Sequence, residues 1–296
     1  METVTPRDLD VARGRNINFP ILIHSTDRKR LQNQVAWISG AASGMGEGIA
    51  RLFAREGAAV ALVDVQAPKG LAIADQIRAE GGRAAFLECD VRHETAVRSS
   101  IEQTAREFGG LQIIVNCAGI VQVKLLHELE EADWDRVMDI NVKSIFLSLK
   151  YGLAHLKQHR RSYVVNIGSI GSFVSQSSTP AYIASKGAVM MLSKSIALDY
   201  AADGVRCNCV CPGITDTPML REHLNTTADP DGTLRDRLRR VPMGVPLTPN
   251  DIAKAVLYFS CEDSAGVTGT SLVIDGGYLA AGEWQHPGQT RFMNPL

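Results

Sequence analysis

The chain has 296 residues, of which 45% are hydrophobic, and its 31 Lys and Arg residues nearly balance its 32 Asp and Glu residues, for a formal net charge of -1. A chain of this length forms one large α/β domain or two small domains and can bury a substantial core. The balanced charge excludes the basic surface typical of nucleic-acid binding. The sequence has no apolar run long enough for a membrane span, and its composition fits neither collagen, coiled coils nor disordered chains.

The sequence predicts one domain over residues 34–280, flanked by an N-terminal arm (1–33) and a C-terminal tail (281–296). The apolar patch of the arm, residues 19–23, is too short for a secretory signal. The arm either packs on the domain or on a neighbouring subunit, or is partly disordered. Six cysteines in a chain of this length do not suit a small disulfide scaffold and indicate reduced thiols in a cytoplasmic protein.

From Gln34 onward, short apolar runs alternate with longer segments of helical periodicity. Strands are predicted at residues 35–39, 58–63, 84–88, 112–116, 163–167, 206–210 and 271–274. Helices are predicted at residues 46–56, 71–80, 94–108, 134–155, 181–200 and 250–260. Strands this apolar, alternating with helices, predict an α/β fold: a doubly wound, seven-stranded, mostly parallel sheet with helices on both faces. In such sheets the ligand binds at the carboxyl ends of the strands.

One long stretch, residues 215–249, is predicted to be irregular because it contains Pro218, Pro230, Pro242 and several glycines. Its length and its position after a strand favour a substrate lid. The run Arg235 to Arg240 within it is interpreted as a solvated helix face, with a clamp for a substrate anion as the alternative.

Three cysteines crowd together at Cys207, Cys209 and Cys211. If the segment is a strand, their sulfurs share one face, an arrangement that a soft metal ion would accept. A buried strand, in which free cysteine serves as a small hydrophobic residue, is the favoured interpretation.

The first predicted strand leads into a glycine-rich turn, Ser39-Gly40-Ala41-Ala42-Ser43-Gly44-Met45-Gly46, and then a helix. Glycine is needed where the turn is tight and where the backbone must contact a ligand. The N-terminus of the helix offers free N–H groups and a positive dipole end to a pyrophosphate. The turn is therefore a candidate dinucleotide site, although a tight strand–helix turn alone would also use glycine.

The next strand ends at Asp64, 24 residues after Gly40. A carboxylate there can accept hydrogen bonds from both hydroxyls of an adenosine ribose and would repel a 2′-phosphate. Ser43 offers no positive charge that would offset that repulsion. The sequence therefore predicts NAD rather than NADP.

Tyr182 and Lys186 are four residues apart on a predicted helix, so they share a face. A free phenol has a pKa of about 10, too high for a base at neutral pH. A neighbouring ammonium favours the phenolate. Such a pair is common on exposed helices, and its meaning depends on the residues around it.

Several short motifs occur together in one order and spacing. They are Ser39 to Gly46, Asn116-Cys117-Ala118-Gly119, Asn141, Ser169 thirteen residues before Tyr182, Lys186, and Pro212-Gly213. In these motifs the chain resembles the short-chain dehydrogenases/reductases, in their compact single-domain branch, over about residues 34–279. The resemblance implies a Rossmann-type fold and a nicotinamide cofactor.

The resemblance also implies four catalytic residues. Tyr182 is similar to the catalytic acid/base, and Ser169 to the donor that polarises the substrate carbonyl. Lys186 is similar to the residue that binds the nicotinamide ribose. Asn141 resembles the asparagine that holds a water in the proton relay; linking or capping helices is its alternative role.

For the cofactor, the resemblance places Asp90 and Val91 at the adenine, Asn116 and Gly119 on the adenosine side, and the segment after Pro212-Gly213 at the nicotinamide amide. The cofactor-binding residues so predicted are Gly40, Ser43, Gly44, Met45, Gly46, Asp64, Asp90, Val91, Asn116, Ala118, Gly119, Tyr182, Lys186, Pro212, Gly213, Thr215 and Thr217. No metal is expected.

The chain departs from the family pattern at four positions. Ser39 replaces the usual threonine, Cys117 the second asparagine of the strand-four motif, and Thr215 a branched aliphatic residue. Gly168 replaces the first of two serines, which leaves Ser169 as the candidate hydroxyl. None of these changes removes a reacting group.

The predicted function is NAD-dependent interconversion of a secondary alcohol and a ketone. The substrate pocket is predicted from Val121, Gln122, Ile170, Phe173, Gln176, Met219, Leu220, His223 and Leu224, which suggest a neutral, moderately apolar alcohol: cyclic, steroid-like or a polyol. The alternatives are an NAD-binding sensor without turnover and a methyltransferase, which would not use Tyr182 and Lys186. The expected partners are a small-molecule substrate and other copies of the chain, as a homotetramer or homodimer through the helices at 134–155 and 181–200.

Overall fold

A seven-stranded parallel sheet, with helices on both faces, organises residues 29–282, which are the residues that the computed structural model describes. Most of the predicted N-terminal arm and of the predicted tail therefore lies outside the described residues. The strands are β1 (Val35–Ser39), β2 (Ala59–Asp64), β3 (Arg83–Glu88), β4 (Ile113–Asn116), β5 (Ser162–Ile167), β6 (Val205–Pro212) and β7 (Ser271–Ile274). The predicted α/β doubly wound fold is confirmed.

The strand order is β3-β2-β1-β4-β5-β6-β7, so the direction of winding reverses between β1 and β4. Ser39 of β1 lies beside Asn116 of β4 at this reversal. A crevice opens there at the carboxyl ends of the strands, the place where doubly wound sheets bind ligands.

Nine α-helices lie within the described residues. They are α1 (Gly44–Arg55), α2 (Ala67–Ala79), α3 (Glu94–Phe108), α4 (Glu131–Met138), α5 (Ser144–Leu156), α6 (Pro180–Tyr200), α7 (Pro218–Asn225), α8 (Pro230–Leu238) and α9 (Pro249–Phe259). None of them is both long and apolar enough to cross a membrane.

The sheet has two cores, because alternate residues of each strand point to opposite faces. Ile38 packs with Phe53 of α1 and Ile252 of α9 on one face. Its neighbour Trp37 packs on the other face with Ile101 of α3. Strands buried on both faces must be apolar throughout, which is why continuous apolar runs in the sequence predicted them.

Residues 134–155 are mostly helical, as predicted, but a π-helical turn (Asp139–Lys143) separates α4 from α5 and contains the buried Asn141. One prediction about the helices is wrong. Residues 215–249 are not irregular throughout, because α7 and α8 lie within them. We call residues 215–248 the two-helix segment.

Both helices of the two-helix segment begin at a proline. Thr217 caps α7 by accepting a hydrogen bond from the Leu220 N–H, and Asp229 caps α8 by accepting one from the Gly232 N–H. Proline suits the first position of a helix, since the N–H it lacks has no helical partner there. Pro218 and Pro230, on which the prediction of an irregular stretch was based, are therefore the first residues of helices.

Candidate active site

The glycine-rich turn is held by backbone contacts that leave no room for side chains. Gly40 has a φ of +69°, and a Cβ there would lie 2.8 Å from the Cα of Ala118. A Cβ on Gly46 would overlap the carbonyl oxygen of Gly40. Ser39 Oγ accepts hydrogen bonds from the N–H groups of Cys117 and Ala118, both at 3.1 Å. Serine in place of the usual threonine thus still ties the turn to the loop after β4.

Asp64, at the end of β2, is 8% exposed and faces the turn. Its Oδ2 accepts a hydrogen bond from the Ala42 N–H at 3.0 Å, and its Oδ1 accepts one from the Gln66 N–H at 3.0 Å. Oδ1 also accepts a long hydrogen bond from Gln66 Nε2 at 3.5 Å, whereas Oδ2 keeps a lone pair for a further donor. The carboxylate is therefore fixed in position while it keeps capacity for a ligand hydroxyl.

A first cavity, of about 240 Å³, opens beside the turn. Among the described residues its lining contains Asp64 and Asp90 and no lysine or arginine. The predicted cofactor-binding residues that line it are Gly40, Ser43, Gly44, Met45, Gly46, Asp64, Asp90, Val91, Ala118, Gly119 and Thr217.

The side chain of Asn116 does not fit its predicted role on the adenosine side of the cleft. Its Nδ2 donates to Asn166 Oδ1 at 2.8 Å, and its Oδ1 accepts from Ser148 Oγ at 2.7 Å. The residue is 5% exposed and lies in the wall of neither cleft cavity. It joins β4, β5 and α5 beneath the cleft, because a buried amide must satisfy its hydrogen bonds within the protein.

A second cavity, of about 160 Å³, adjoins the first, and both are lined by Met45, Cys117, Gly119, Thr217 and Met219. Its wall contains Ser169, Tyr182, Lys186, Pro212, Gly213 and Thr215. The structure therefore brings together, in one cavity, three of the four predicted catalytic side chains and the predicted nicotinamide segment.

Tyr182 and Lys186 lie one turn apart on α6, as the spacing predicted. Lys186 Nζ is 5.6 Å from the centre of the Tyr182 ring and donates a hydrogen bond to the Ile167 carbonyl oxygen at 2.7 Å. Lysine has three donors, so this bond fixes the ammonium and leaves two donors for other groups.

Ser169 follows β5, and its Oγ accepts a hydrogen bond from the Gly171 N–H at 3.0 Å. The hydroxyl hydrogen remains free to be donated into the cavity. The serine is 9% exposed, so it reaches the cavity from a buried position.

Asn141 lines neither cavity but holds the elements that do. Its Oδ1 accepts from the Ile120 N–H at 2.9 Å, and its Nδ2 donates to the Ile120 carbonyl oxygen at 3.0 Å and to Ser185 Oγ at 2.9 Å. A Cβ placed on Gly119 would lie 3.4 Å from Asn141 Oδ1 and 3.6 Å from Lys186 Nζ. The π-helical turn thus carries an amide that links the loop after β4 to α6.

Gly168 packs directly against the cysteines of β6. A Cβ there would lie 2.8 Å from Cys209 Sγ and 2.9 Å from Cys211 Sγ. These sulfurs fill the space in which the family's first serine would stand, so this departure has a packing cause. Cys207, Cys209 and Cys211 are fully buried in strand β6, as the favoured interpretation predicted. Within residues 29–282 no group of three His, Cys, Asp or Glu side chains is arranged to hold a metal ion.

Cys117 is a thiol that lines both cavities and is a conceivable nucleophile. Burial raises its pKa to about 12. It is therefore a neutral thiol near pH 7 and contributes volume rather than a reacting thiolate.

Of the residues predicted for the substrate pocket, Val121, Ile170, Gln176, Met219, Leu220 and His223 line the second cavity. Phe173 is exposed, Leu224 is the buried residue of α7, and Gln122 accepts a hydrogen bond from Arg136 instead. Arg237 also lines the cavity. The interpretation of Arg235 to Arg240 as a solvated face is therefore wrong for this arginine, which points into the cleft.

A family model described as "Enoyl-(Acyl carrier protein) reductase" matches residues 40–279. Cis-4-hydroxycyclohexanecarboxylate dehydrogenase of Sinomonas cyclohexanicum is 38% identical over 248 residues, which cover 83% of this chain and 97% of the relative. Cyclopentanol dehydrogenase of Comamonas sp. is 35% identical over 251 residues, covering 85% and 99%.

Among solved structures, a putative short-chain dehydrogenase/reductase from Burkholderia xenovorans superposes with a TM-score of 0.82 at 32% identity. The match covers 85% of this chain and 98% of that structure. With a family model matched over most of its length and relatives matched over nearly all of theirs, this chain belongs to the short-chain dehydrogenase/reductase family.

Proposed function

We propose that the chain is an NAD-dependent oxidoreductase that interconverts a secondary alcohol and a ketone, with Tyr182 as the acid/base. One observation carries the proposal: Tyr182, Ser169 and Lys186 share a cavity that adjoins the cavity of the glycine-rich turn. An alcohol bound there would have a proton acceptor, an oxygen-directed donor and an ammonium within one small volume.

The residues present fit NAD. The first cavity has a fixed carboxylate at Asp64 and, among its described lining residues, no basic side chain that would balance a 2′-phosphate. The start of α1, with Gly44 and Gly46, lines this cavity, where the free N–H groups of a helix N-terminus can bind a pyrophosphate. When bound, NAD supplies a nicotinamide ring that accepts or donates hydride.

The protein's own groups handle the proton and the oxygen. Ser169 Oγ donates its free hydrogen to the substrate oxygen and stabilises negative charge that develops there. The Tyr182 phenolate oxygen takes the proton from the alcohol, and in the reverse direction the Tyr182 phenol gives its proton to the alkoxide. Two donors of the Lys186 ammonium remain available to a ribose hydroxyl of the cofactor.

Asn141 acts by holding the loop after β4 and by linking it to α6. Both hydrogens of its amide are used within the protein, and one lone pair of Oδ1 is left to accept a bond from a relay water. The role in the proton relay that the family resemblance implies is thus compatible with these contacts, through that lone pair.

The substrate class is a small secondary alcohol, including alcohols carried on a ring. The apolar wall of the second cavity, with Val121, Ile170, Met219 and Leu220, supports this proposal. So do the names of two relatives, which refer to cyclopentanol and to a hydroxycyclohexanecarboxylate.

A homotetramer or homodimer is part of the proposal. Apolar side chains are exposed on the helices predicted to join the subunits: Phe146 of α5 is 53% exposed, and Met191 and Leu198 of α6 are 57% and 81% exposed. Light scattering behind a sizing column measures the mass, and a monomer would contradict this part.

The test is NADH formation by the purified protein over a panel of aliphatic and cyclic secondary alcohols, with NAD binding measured separately by calorimetry. We expect turnover of at least one member. If NAD binds and no member is oxidised, and the corresponding ketones are not reduced with NADH, the sensor hypothesis replaces the oxidoreductase.

A further inference from the structure

The second cavity has a positive charge at a position separate from the Tyr182–Lys186 pair. Among the described residues, its wall contains Lys186 from α6 and Arg237 from α8, and no aspartate or glutamate. Lys186 is already assigned to Tyr182 and the cofactor. Arg237 has no part in the chemistry proposed above, so its presence in the wall requires another reason.

The guanidinium of Arg237 lacks an acidic partner within residues 29–282. Within these residues, the Arg237 side chain makes a hydrogen bond between its Nη2 and His223 Nε2, at 3.0 Å. Because a guanidinium only donates, the histidine nitrogen accepts this bond, and the other guanidinium donors are left for further groups. Burial lowers the pKa of Arg237, as expected for a charge that has lost water without gaining a counter-ion.

Nearby arginines behave differently. Arg221 donates to Asp216 at 2.7 Å, and Arg239 pairs with Asp236 at 3.0 Å, with both arginines on the surface. The segment thus supplies carboxylates to these two exposed arginines, whereas the half-buried Arg237 in the cleft has none in the described part of the chain. Burying an unpaired charge is unfavourable unless a partner arrives.

A third cavity, of about 430 Å³, continues the second, since both are lined by Ile170, Gln176, Ile214, His223 and Arg237. Arg240 joins its wall and lies 5.5 Å from the centre of the Tyr278 ring. The wall also contains Ser175, Ser177 and Ser178, and its described residues include no acidic side chain. The surroundings of Arg237 thus offer a second cation and hydroxyl donors.

We propose that the alcohol substrate carries an anionic group, a carboxylate or sulfonate, which binds the Arg237 guanidinium while its hydroxyl lies at Ser169 and Tyr182. The inference rests on the proposed function and narrows its substrate class. A planar guanidinium binds such oxyanions through two parallel hydrogen bonds, which fixes the orientation of the substrate as well as its affinity.

His223 is a positioning residue in this arrangement. Burial, and secondly the guanidinium of Arg237, lower its pKa, so the ring is neutral near pH 7 and its Nε2 can accept the arginine hydrogen. The contact between α7 and α8 therefore aims Arg237 into the cleft.

The experiment compares matched substrates: a hydroxycyclohexanecarboxylate and a hydroxyalkyl sulfonate, each beside its neutral amide or alcohol analogue, with NAD. In the wild type we expect kcat/KM for the anionic members to exceed that of the neutral members about tenfold or more. In Arg237→Gln we expect kcat/KM for the anionic members to fall about 30-fold, mainly through KM, with the neutral members nearly unchanged.

Arg235→Gln is the matched control, since it removes the same charge from an exposed position of the same helix. It should keep the preference for anions. Arg237→Lys should keep part of the preference, and His223→Gln, which retains an acceptor, should keep more of it than His223→Phe.

The outcomes separate the two proposals. Preference for the neutral members, or an equal fall for both members of each pair in Arg237→Gln, overturns the anion site and leaves the oxidoreductase standing. If NAD binds but no alcohol is oxidised and no ketone is reduced, the proposed oxidoreductase function is rejected, and the proposed anion site is rejected with it.

Discussion

The glycine-rich turn and the two-helix segment both line the cleft and are built in different ways. The turn is fixed by backbone atoms: Gly46 against Gly40, and the Ala42 N–H on Asp64. In the two-helix segment the backbone bonds hold the two ends, and α7 and α8 contact each other through side chains, such as His223 on Arg237, with much of the surface exposed. A site built from backbone atoms suits a ligand that stays the same when the sequence changes. A site built from side chains can acquire a different ligand specificity through a single substitution.

The largest expected effect lies at Tyr182, between the two regions. Tyr182→Phe removes the proton acceptor, and we expect kcat to fall about 1000-fold while NAD binding, which depends on the turn, stays within about twofold. Tyr200→Phe, at the far end of α6, is the matched control. Steady-state kinetics and calorimetry check both, and near-normal turnover by the phenylalanine variant would reject the mechanism.

A pair of glycine substitutions tests the difference in construction directly. Gly46→Ala drives a Cβ into the backbone of Gly40, so we expect a loss of about 3 kcal/mol in unfolding free energy and much weaker NAD binding. In Gly232→Ala the Cβ meets the Asp229 carboxylate, which can rotate away. The lost cap and the gained helix propensity, each about 1 kcal/mol, nearly cancel. Urea unfolding and NAD titration of both variants measure these effects. Equal losses of unfolding free energy in the two variants would contradict the difference in construction between the two regions.

The charge of Asp64 should set the cofactor preference. A unit-charge contact near 4 Å at an effective dielectric constant of 20 is about 4 kcal/mol. In Asp64→Asn, which keeps the shape of the side chain, we expect the NAD-over-NADP ratio of kcat/KM to fall about 100-fold, since the phosphate would be partly solvated. Asp216→Asn removes an exposed carboxylate from the two-helix segment and should leave the ratio unchanged. Equal use of both cofactors by the wild type would refute the role of Asp64.

The smallest effects concern two helix caps. Thr248 caps α9, whose apolar face packs on α1, and Thr217 caps α7, in which Leu224 is the one buried residue. Thr248→Ala should lower the unfolding free energy by about 1 kcal/mol. Thr217→Ala should change it by less than about 0.5 kcal/mol, because α7 can open without global unfolding. Chemical denaturation measures both losses of unfolding free energy. A larger loss for Thr217→Ala than for Thr248→Ala would mean that α7 unfolds together with the core.

The sequence predicted the sheet well because each strand is buried on both faces and is therefore continuously apolar. The prediction of helices failed at prolines, because proline occurs both in loops and at the first positions of helices. Pro68, Pro218 and Pro230 each stand at the start of a helix, and helices were missed or begun too late at all three.

The side chains that motifs predict were found more reliably than those that only packing decides. Tyr182, Lys186 and Ser169 meet because helical spacing and a strand end bring them to one place. Asn116 turns its amide toward Asn166, which lies 50 residues away in the sequence. Nothing in the local pattern around Arg237 distinguishes it from Arg235 or Arg239, since its direction depends on how α8 packs.

The close packing of Gly168 against Cys209 and Cys211 makes these positions interdependent in evolution. A serine at 168 would have to share its space with two sulfurs, so it becomes tolerable only after the strand has exchanged a cysteine for a smaller residue. Laboratory evolution started from this chain should therefore reach the family's usual serine pair by substitution in β6 first, and reversing that order should pass through a destabilised intermediate.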